Sequence, residues 1–381
     1  MNILILSAST GGGHMKASEA LRDYIVENEV DAKVKLVDTI EYISPTINKV
    51  VTDGYVMLVR NMNYLYRIFY KDTDRNSLVS RFVTRILLTL SKSLLPLIEE
   101  FEADVIITAH PFSTEIISIL KGSSRIGIPL ICIMTDYAAH NTWIKKNVDE
   151  YCVATKDMID EMVKRGVKRE KIHPFGIPVS QKFFCGDMND KRKLLNSLNL
   201  KDITTILIMA GSFGVNNIEN IYKELIEVNG RFQIIVLTGN NDKLYNKMKK
   251  NMNTSTKETR VIKFTNDVHR YMNLADILIT KPGGLTISEA LASNLPMIIF
   301  DAIPGQEEAN SQFLLNHGMA VSIGSGTDCK EVLEDLINDN KKLKKLTKNC
   351  GEFNKEACSE QILELIRISI IKKKDKTFKV I

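Results

Sequence analysis

Residues Asn2 to Ser18 read NILILSASTGGGHMKAS: an apolar run, three consecutive glycines, a histidine and the start of a helix. An apolar run of this length that stops at small and polar residues predicts a strand buried on both faces. The glycines then let the backbone approach whatever lies beyond the strand end. The theme recurs along the chain. In the first half, apolar runs occupy Asn2 to Ala8, Val34 to Asp38, Asp104 to Ala109, Leu130 to Thr135 and Tyr151 to Ala154. In the second half they occupy Thr205 to Met209, Gln233 to Thr238, Val261 to Phe264, Asp276 to Thr280, Met297 to Phe300 and Ala320 to Ile323. Helix-length segments separate them, which predicts an α/β fold of two doubly wound parallel sheets. Two facing Rossmann-like domains with an interdomain cleft are expected, with ligands outside the carboxyl ends of the strands.

The alternation breaks after FGIPV (Phe175 to Val179), where a polar stretch runs to Asp202. The expected domains are therefore residues 1–180 and 203–357, joined by a linker over 181–202 and followed by a helix and lysine-rich tail over 358–381. A length of 381 residues fits two domains, each able to bury its own core. With 44% apolar and 25% charged residues, disordered, collagen-like and coiled-coil classes are excluded. The opening has no basic signal-peptide region and no apolar run reaches the ~18 residues of a membrane span, so a cytoplasmic protein is expected. The six cysteines (132, 152, 185, 329, 350 and 358) form no C-x-x-C pair, which predicts reduced thiols rather than a zinc site or a disulfide framework.

The net charge of +5 is unevenly spread. Eight basic residues stand against three aspartates between Lys49 and Leu95, and five lysines against Asp375 between Ile370 and Ile381. Two basic patches on an otherwise mildly acidic body predict attraction to an anionic surface. Tyr55, Tyr64, Tyr66, Phe69 and Tyr70 crowd the first patch. From Val79 to Leu97, the residues Val79, Val83, Ile86, Leu90, Leu94 and Leu97 share one helical face, with Arg81, Arg85 and Lys92 opposite. A basic amphipathic helix beside tyrosines reads as an interfacial membrane contact, with Tyr64, Tyr66, Arg67, Arg81, Arg85 and Lys92 as its contact residues; a domain helix with a solvated basic face reads equally well. No nucleic-acid motif is present.

Chemistry is expected in the loops after strands. The GGGH turn satisfies neither the G-x-x-x-x-G-K-[ST] pattern nor G-x-G-x-x-G with a ribose-binding acid. Its free amides suit an anion or developing negative charge, and His14 stands there as a candidate base beside Gly12 and Gly13. In ILIMAGSFGVNN, Gly211 and Ser212 open a similar loop. In ILITKPGGLTISEALASNLPMIIF, the amides at Gly283, Gly284, Leu285 and Thr286 suit a diphosphate, and Glu289 suits a pair of ribose hydroxyls. Gln306, Glu307 and Asn310 are of the kind that reads sugar hydroxyls. Asp72-Thr73-Asp74 resembles a metal-binding pair but follows no apolar strand and reads as a solvated loop.

Taken together, GGGH, HPF (His110 to Phe112), TDYAAHNTWI (Thr135 to Ile144), GIPV, GSFG, KPGGLTISEA and PGQEEAN resemble glycosyltransferase family 28. Within it they are similar to the diacylglycerol glycosyltransferase branch, the processive diacylglycerol glucosyltransferases and monogalactosyldiacylglycerol synthases. The resemblance implies a GT-B fold, with a UDP-hexose donor held by the C-terminal domain and diacylglycerol received by the N-terminal domain at an anionic phospholipid surface. It implies inverting transfer with no essential metal or other cofactor, glucose being favoured over galactose, at the cytoplasmic face of the membrane. His14 and Asp136 are the alternative catalytic bases it points to. His110, Tyr137, His140 and Trp143 lie on the acceptor side, and Phe264 and Thr265 join the donor set. Three other functions compete: the lipid-linked GlcNAc transferase of peptidoglycan synthesis, a nucleotide-sugar epimerase, and a non-catalytic membrane-surface binding protein.

Overall fold

The computed structural model describes residues 1–9, 12–43, 91–184, 188–209, 217–253, 255–323, 329–353 and 355–378. Gly211, Ser212, Tyr64, Tyr66, Arg67, Arg81, Arg85 and the Asp72–Asp74 pair lie outside the described residues. The chain divides into two compact units, residues 1–180 with 355–381 and residues 181–354.

The first unit holds a six-stranded sheet in the order β2-β1-β3-β4-β5-β6. Its strands are β1 (Asn2–Ser7), β2 (Lys33–Asp38), β3 (Val105–Thr108), β4 (Leu130–Ile133), β5 (Glu150–Cys152) and β6 (Ile172–His173). All neighbours are parallel. Ile3 to Leu6 are buried on both faces, as the continuous apolar run predicts for a central parallel strand. The edge strand β2 is half exposed, and its Lys33 and Lys35 discourage pairing with another chain. β6 was not foreseen, since two residues are too short to carry a period.

The second unit repeats the plan in the order β12-β11-β10-β7-β8-β9. Here β7 is Thr205–Met209, β8 Gln233–Leu237, β9 Glu258–Ile262, β10 Ile277–Thr280, β11 Met297–Ile299 and β12 Ala320–Ser322, again all parallel. Its core joins Ile206, Ile208, Ile234, Val236, Ile277 and Ile279 to Ile218, Tyr222 and Leu225 of the helix Ile218–Glu227.

Two expected segments group with one or the other unit. Residues 181–202 are no bare linker: they contain a 3-10 turn (Gln181–Phe183) and the helix Met188–Ser197, and group with the second unit. The helix Cys358–Phe378 is no appendage: Cys358, Ile362, Leu363, Leu365, Ile366 and Ile370 pack with Ile3, Ile5, Val105 and Ile107 in the first unit's core. The chain end thus covers one face of the sheet with which the chain begins. Trimming Ile366, fully buried there, to valine is expected to cost about 1 kcal/mol, read as a lower denaturant midpoint at unchanged slope. The expected helix Val79–Leu97 is also interrupted within its described end. A 3-10 turn (Lys92–Leu94) precedes a separate helix, Leu95–Glu100, whose Pro96 has no N–H with which to extend an earlier ladder. Leu94 and Leu97 are buried and Lys92 is exposed.

Candidate active site

Both sheets have a topological switch point, where neighbouring strands send their chains to opposite sides and a crevice opens at the carboxyl ends. In the first sheet it lies between β1 and β3, because β2 flanks β1 on one side and β3 on the other. His14 follows β1, His110 follows β3, and Thr135 and Asp136 follow β4. The sheet therefore gathers three stretches that lie about 100 residues apart or more from the first to the last.

His14 stands in the first turn of the helix Gly13–Asn28, after Gly12 at φ 80°, a left-handed conformation that suits glycine. Its ring is held on several sides. Nδ1 lies 2.7 Å from the hydroxyl of Thr135, itself buried. The Ala109 carbonyl accepts a hydrogen bond from the ring. The His110 ring meets it edge to face at 4.7 Å between centroids, and Trp143 lies at 6.0 Å. Burial pushes the His14 pKa down to about 4, with the Ala109 carbonyl opposing. The ring is therefore neutral near pH 7 and able to take a proton.

His110 caps the helix Pro111–Gly122, with Pro111 pre-set for the first turn. Its Nδ1 accepts from the Phe112 amide at 3.1 Å, so the neutral ring carries its proton on Nε2. Burial first, and then the neighbouring His14, hold it well below the ordinary histidine range. Two imidazoles in contact cannot both be charged without mutual repulsion. The pH dependence follows by sign. Both groups have folded pKa values below the unfolded 6.5, so the unfolded chain binds protons first as pH falls. Stability is full above 6.5 and drops toward about 4, the His14 value. A melting temperature lower by roughly a few degrees at pH 5 than at pH 7.5, with the loss reduced in His14→Gln, is expected.

Asp136 is buried and accepts from the Trp143 indole at 2.9 Å. Trp143 is almost fully buried, so the pair sets the wall beside His14. Tyr137 is buried as well. His140 Nδ1 engages the Thr142 hydroxyl at 2.8 Å and accepts from its amide at 3.2 Å, which folds the AHNTW loop on itself. Thr135 was quoted within a motif but given no role by sequence; only its contact with His14 reveals one.

In the second unit the switch point lies between β7 and β10. The chain leaves β10 through Lys281 and Pro282 and enters the helix Gly284–Ala292. The first intrahelical bond found there runs from the Ile287 amide to the Gly283 carbonyl at 2.9 Å. The amides of Gly284, Leu285 and Thr286 precede it, as the anion-binding reading requires. Glu289 is half-buried on the same helix.

The next loop serves the fold more than the sequence reading allowed. Glu307 accepts from the Ile303 amide at 2.8 Å, and Glu308 accepts from Gly305 at 3.0 Å, closing the loop onto the helix Gln306–Asn316. Asn310, expected to read sugar hydroxyls, is fully buried and donates to the Pro282 carbonyl at 3.1 Å, so it ties that helix to the KPGG turn. Asn217 donates to both carboxylate oxygens of Asp301 at 2.7 Å, a clamp the sequence did not disclose. Phe264 is 55% exposed after the edge strand β9, and Thr265 accepts from the Asp267 amide at 3.0 Å. β9 lies three strands from β10, so at about 4.8 Å per strand these two start roughly 14 Å from the KPGG turn. Among the described residues, no group of three or more His, Cys, Asp or Glu side chains is placed to hold a metal ion.

Comparison with known proteins bears on both units. The monogalactosyldiacylglycerol (MGDG) synthase family matches residues 14–179, and the glycosyltransferase family 28 C-terminal domain matches residues 205–363. The processive diacylglycerol beta-glucosyltransferase of Bacillus pumilus is 29% identical over 368 residues, covering 95% of this chain and 93% of that protein. Among solved structures, MurG of Acinetobacter baumannii aligns with a TM-score of 0.63 at 16% identity, over 96% of this chain and 99% of that one. Anabaena HepE in complex with UDP-glucose aligns at 0.55 and 15% identity, over 96% and 99%. These structural likenesses carry the fold, which is GT-B with two Rossmann-like domains. Because the two family matches divide between the two sheets and together take in most of the sequence, the chain belongs to glycosyltransferase family 28 and is a glycosyltransferase.

Proposed function

We propose that the protein is an inverting hexosyltransferase that moves glucose from UDP-glucose to diacylglycerol at the cytoplasmic face of the membrane. The observation that carries this reading is the likeness to diacylglycerol glucosyltransferases along 95% of the chain, through the acceptor half as well as the donor half. His14, neutral and lodged at the first sheet's switch point, takes the proton of the acceptor hydroxyl. The freed oxygen attacks the anomeric carbon and forms the new C–O bond as the bond to the β-phosphate breaks. The electron pair leaves with UDP. Amides at the start of the helix Gly284–Ala292 meet the diphosphate charge, and Glu289 accepts from the ribose hydroxyls. Gln306 and Glu307 border the donor sugar, while Asn310 sets the turn. The reading needs no metal, since backbone donors and a helix N-terminus stand where charge develops.

The test incubates purified protein with labelled UDP-glucose or UDP-galactose and diacylglycerol in vesicles, then identifies the lipid product. Glucosyl-diacylglycerol is expected. A galactolipid alone would reassign the donor, and transfer of GlcNAc to a polyprenyl carrier without any glycosyl-diacylglycerol would replace the reading.

No helix among the described residues is long and apolar enough to cross a membrane, and the proposed route to a lipid acceptor is surface attachment. The basic residues around Lys92 and the lysines from Lys372 onward would supply ~1 kcal/mol each near an anionic leaflet. Flotation with anionic vesicles is expected to weaken as salt rises. Salt-insensitive flotation, or none lost on charge reversal at Arg81, Arg85 and Lys92, would count against that attachment.

A further inference from the structure

Resting on the donor reading above, we propose that Asn217 and Asp301 form a positioning clasp that sets how the sugar end of the donor is held, and so governs UDP-glucose binding relative to UDP. Asp301 has φ 46°, in the left-handed region, although it is no glycine. Among the described residues four other non-glycines share that sign: Glu102, Ser124, Asn199 and Asn294. Each stands just past the end of a helix, where a left-handed residue is an ordinary stop. Asp301 instead follows the strand β11. Its carboxylate is engaged by Asn217, whose Nδ2 lies 2.7 Å from both oxygens. Both side chains are exposed, so the pair adds little to stability. An uncommon backbone setting held by an exposed pair is of the kind that gathers at ligand clamps.

Topology says what the clasp joins. β7 and β11 both pair with β10, one on each side, so the clasp joins the chain that follows one neighbour of β10 to the chain that follows the other. Further along the second of these, Glu307 holds the Ile303 amide and Glu308 the Gly305 amide, which braces residues 303–305 against the helix Gln306–Asn316. Asn310 ties that braced piece to Pro282, and Asp301 ties it to Asn217. Two ties fix an orientation that one tie leaves free to pivot. Gln306, read above as bordering the donor sugar, belongs to this piece, whereas the diphosphate amides and Glu289 belong to the helix Gly284–Ala292. Releasing the clasp therefore acts on the sugar end and spares the UDP end.

The experiment measures UDP and UDP-glucose affinities by titration calorimetry, without acceptor lipid, for wild type, Asn217→Ala, Asp301→Asn and the double variant, with a melting temperature for each. Asn217→Ala is expected to weaken UDP-glucose about 10-fold and UDP by less than about twofold, because the lost tie serves the sugar side. Asp301→Asn keeps the shape and a residue type that accepts the left-handed backbone, but offers one acceptor oxygen in place of two. A loss of about threefold, confined to UDP-glucose, is expected. The double variant is expected to be no worse than Asn217→Ala, since the two residues act as one pair. Equal losses for UDP and UDP-glucose would make the pair an element of the fold only and overturn the proposal. So would an unchanged ratio of the two affinities, or losses that simply add in the double variant. Should the alanine variant fail to fold, the ratio in Asp301→Asn decides alone, and an unchanged one overturns the clasp. Wild type that binds UDP but no UDP-glucose would overturn the donor reading itself, an outcome read before any variant and distinct from failure of the clasp.

Discussion

His14→Ala is expected to lower turnover about 10²- to 10⁴-fold with UDP affinity as in wild type, because on the proposed reading it removes the general base while the proposed donor turn belongs to the other sheet. In the intact enzyme the acid limb of kcat/KM is expected near pH 4, since burial lowers the His14 pKa to about 4 and protonation below that value removes the base. Above it the ring is neutral and the limb flattens. Asp136 is the rival. Its carboxylate accepts the Trp143 indole proton at 2.9 Å, so Asp136→Asn and Trp143→Phe should produce similar, smaller losses through the wall beside His14. Steady-state kinetics with diacylglycerol vesicles separate the cases. Near-normal turnover in His14→Ala together with an inactive Asp136→Asn would move the base to Asp136 and leave His14 as part of the turn.

On the proposed reading, Glu289→Ala is expected to weaken UDP binding about 10- to 100-fold in a protein that still folds. A carboxylate that accepts from two ribose hydroxyls makes charge-assisted bonds of roughly 1.5 to 3 kcal/mol, and its loss leaves the hydroxyls unpaired in the bound state. Glu289 sits half-buried in the helix whose first amides, at Gly284, Leu285 and Thr286, are presented beyond β10. Diphosphate and ribose contacts would then come from one rigid element. Titration calorimetry with UDP reads the change directly, and an unaltered affinity would sink the ribose assignment.

Much of the architecture was written in local pattern. Parallel strands covered on both faces must be continuously apolar, so Ile3 to Leu6, Ile206 to Ile208 and Ile277 to Ile279 announced two wound sheets without any contact information. The GGGH and KPGG turns announced strand–loop–helix junctions, because glycines before a helix leave amides exposed. What failed depended on partners far along the chain. The helix Cys358–Phe378 carries its own apolar spacing, but that spacing does not say that its partner is the sheet containing β1, more than 300 residues earlier. Likewise Asn310 has the same composition whether it faces a sugar or the Pro282 carbonyl; only packing decided for the backbone.

The sequence by itself determined the two sheets, the junctions that carry chemistry and the presence of a histidine at the first of them. Each is a property of a short run, governed by burial period and backbone freedom. Tertiary structure alone decided the state of that histidine. The order β2-β1-β3-β4 brings the ends of β1, β3 and β4 together, so Thr135 reaches Nδ1, and Ala109 and His110 close on the ring. A proton's affinity for an imidazole is set by what surrounds the ring, and those surroundings arrive from three separate strands.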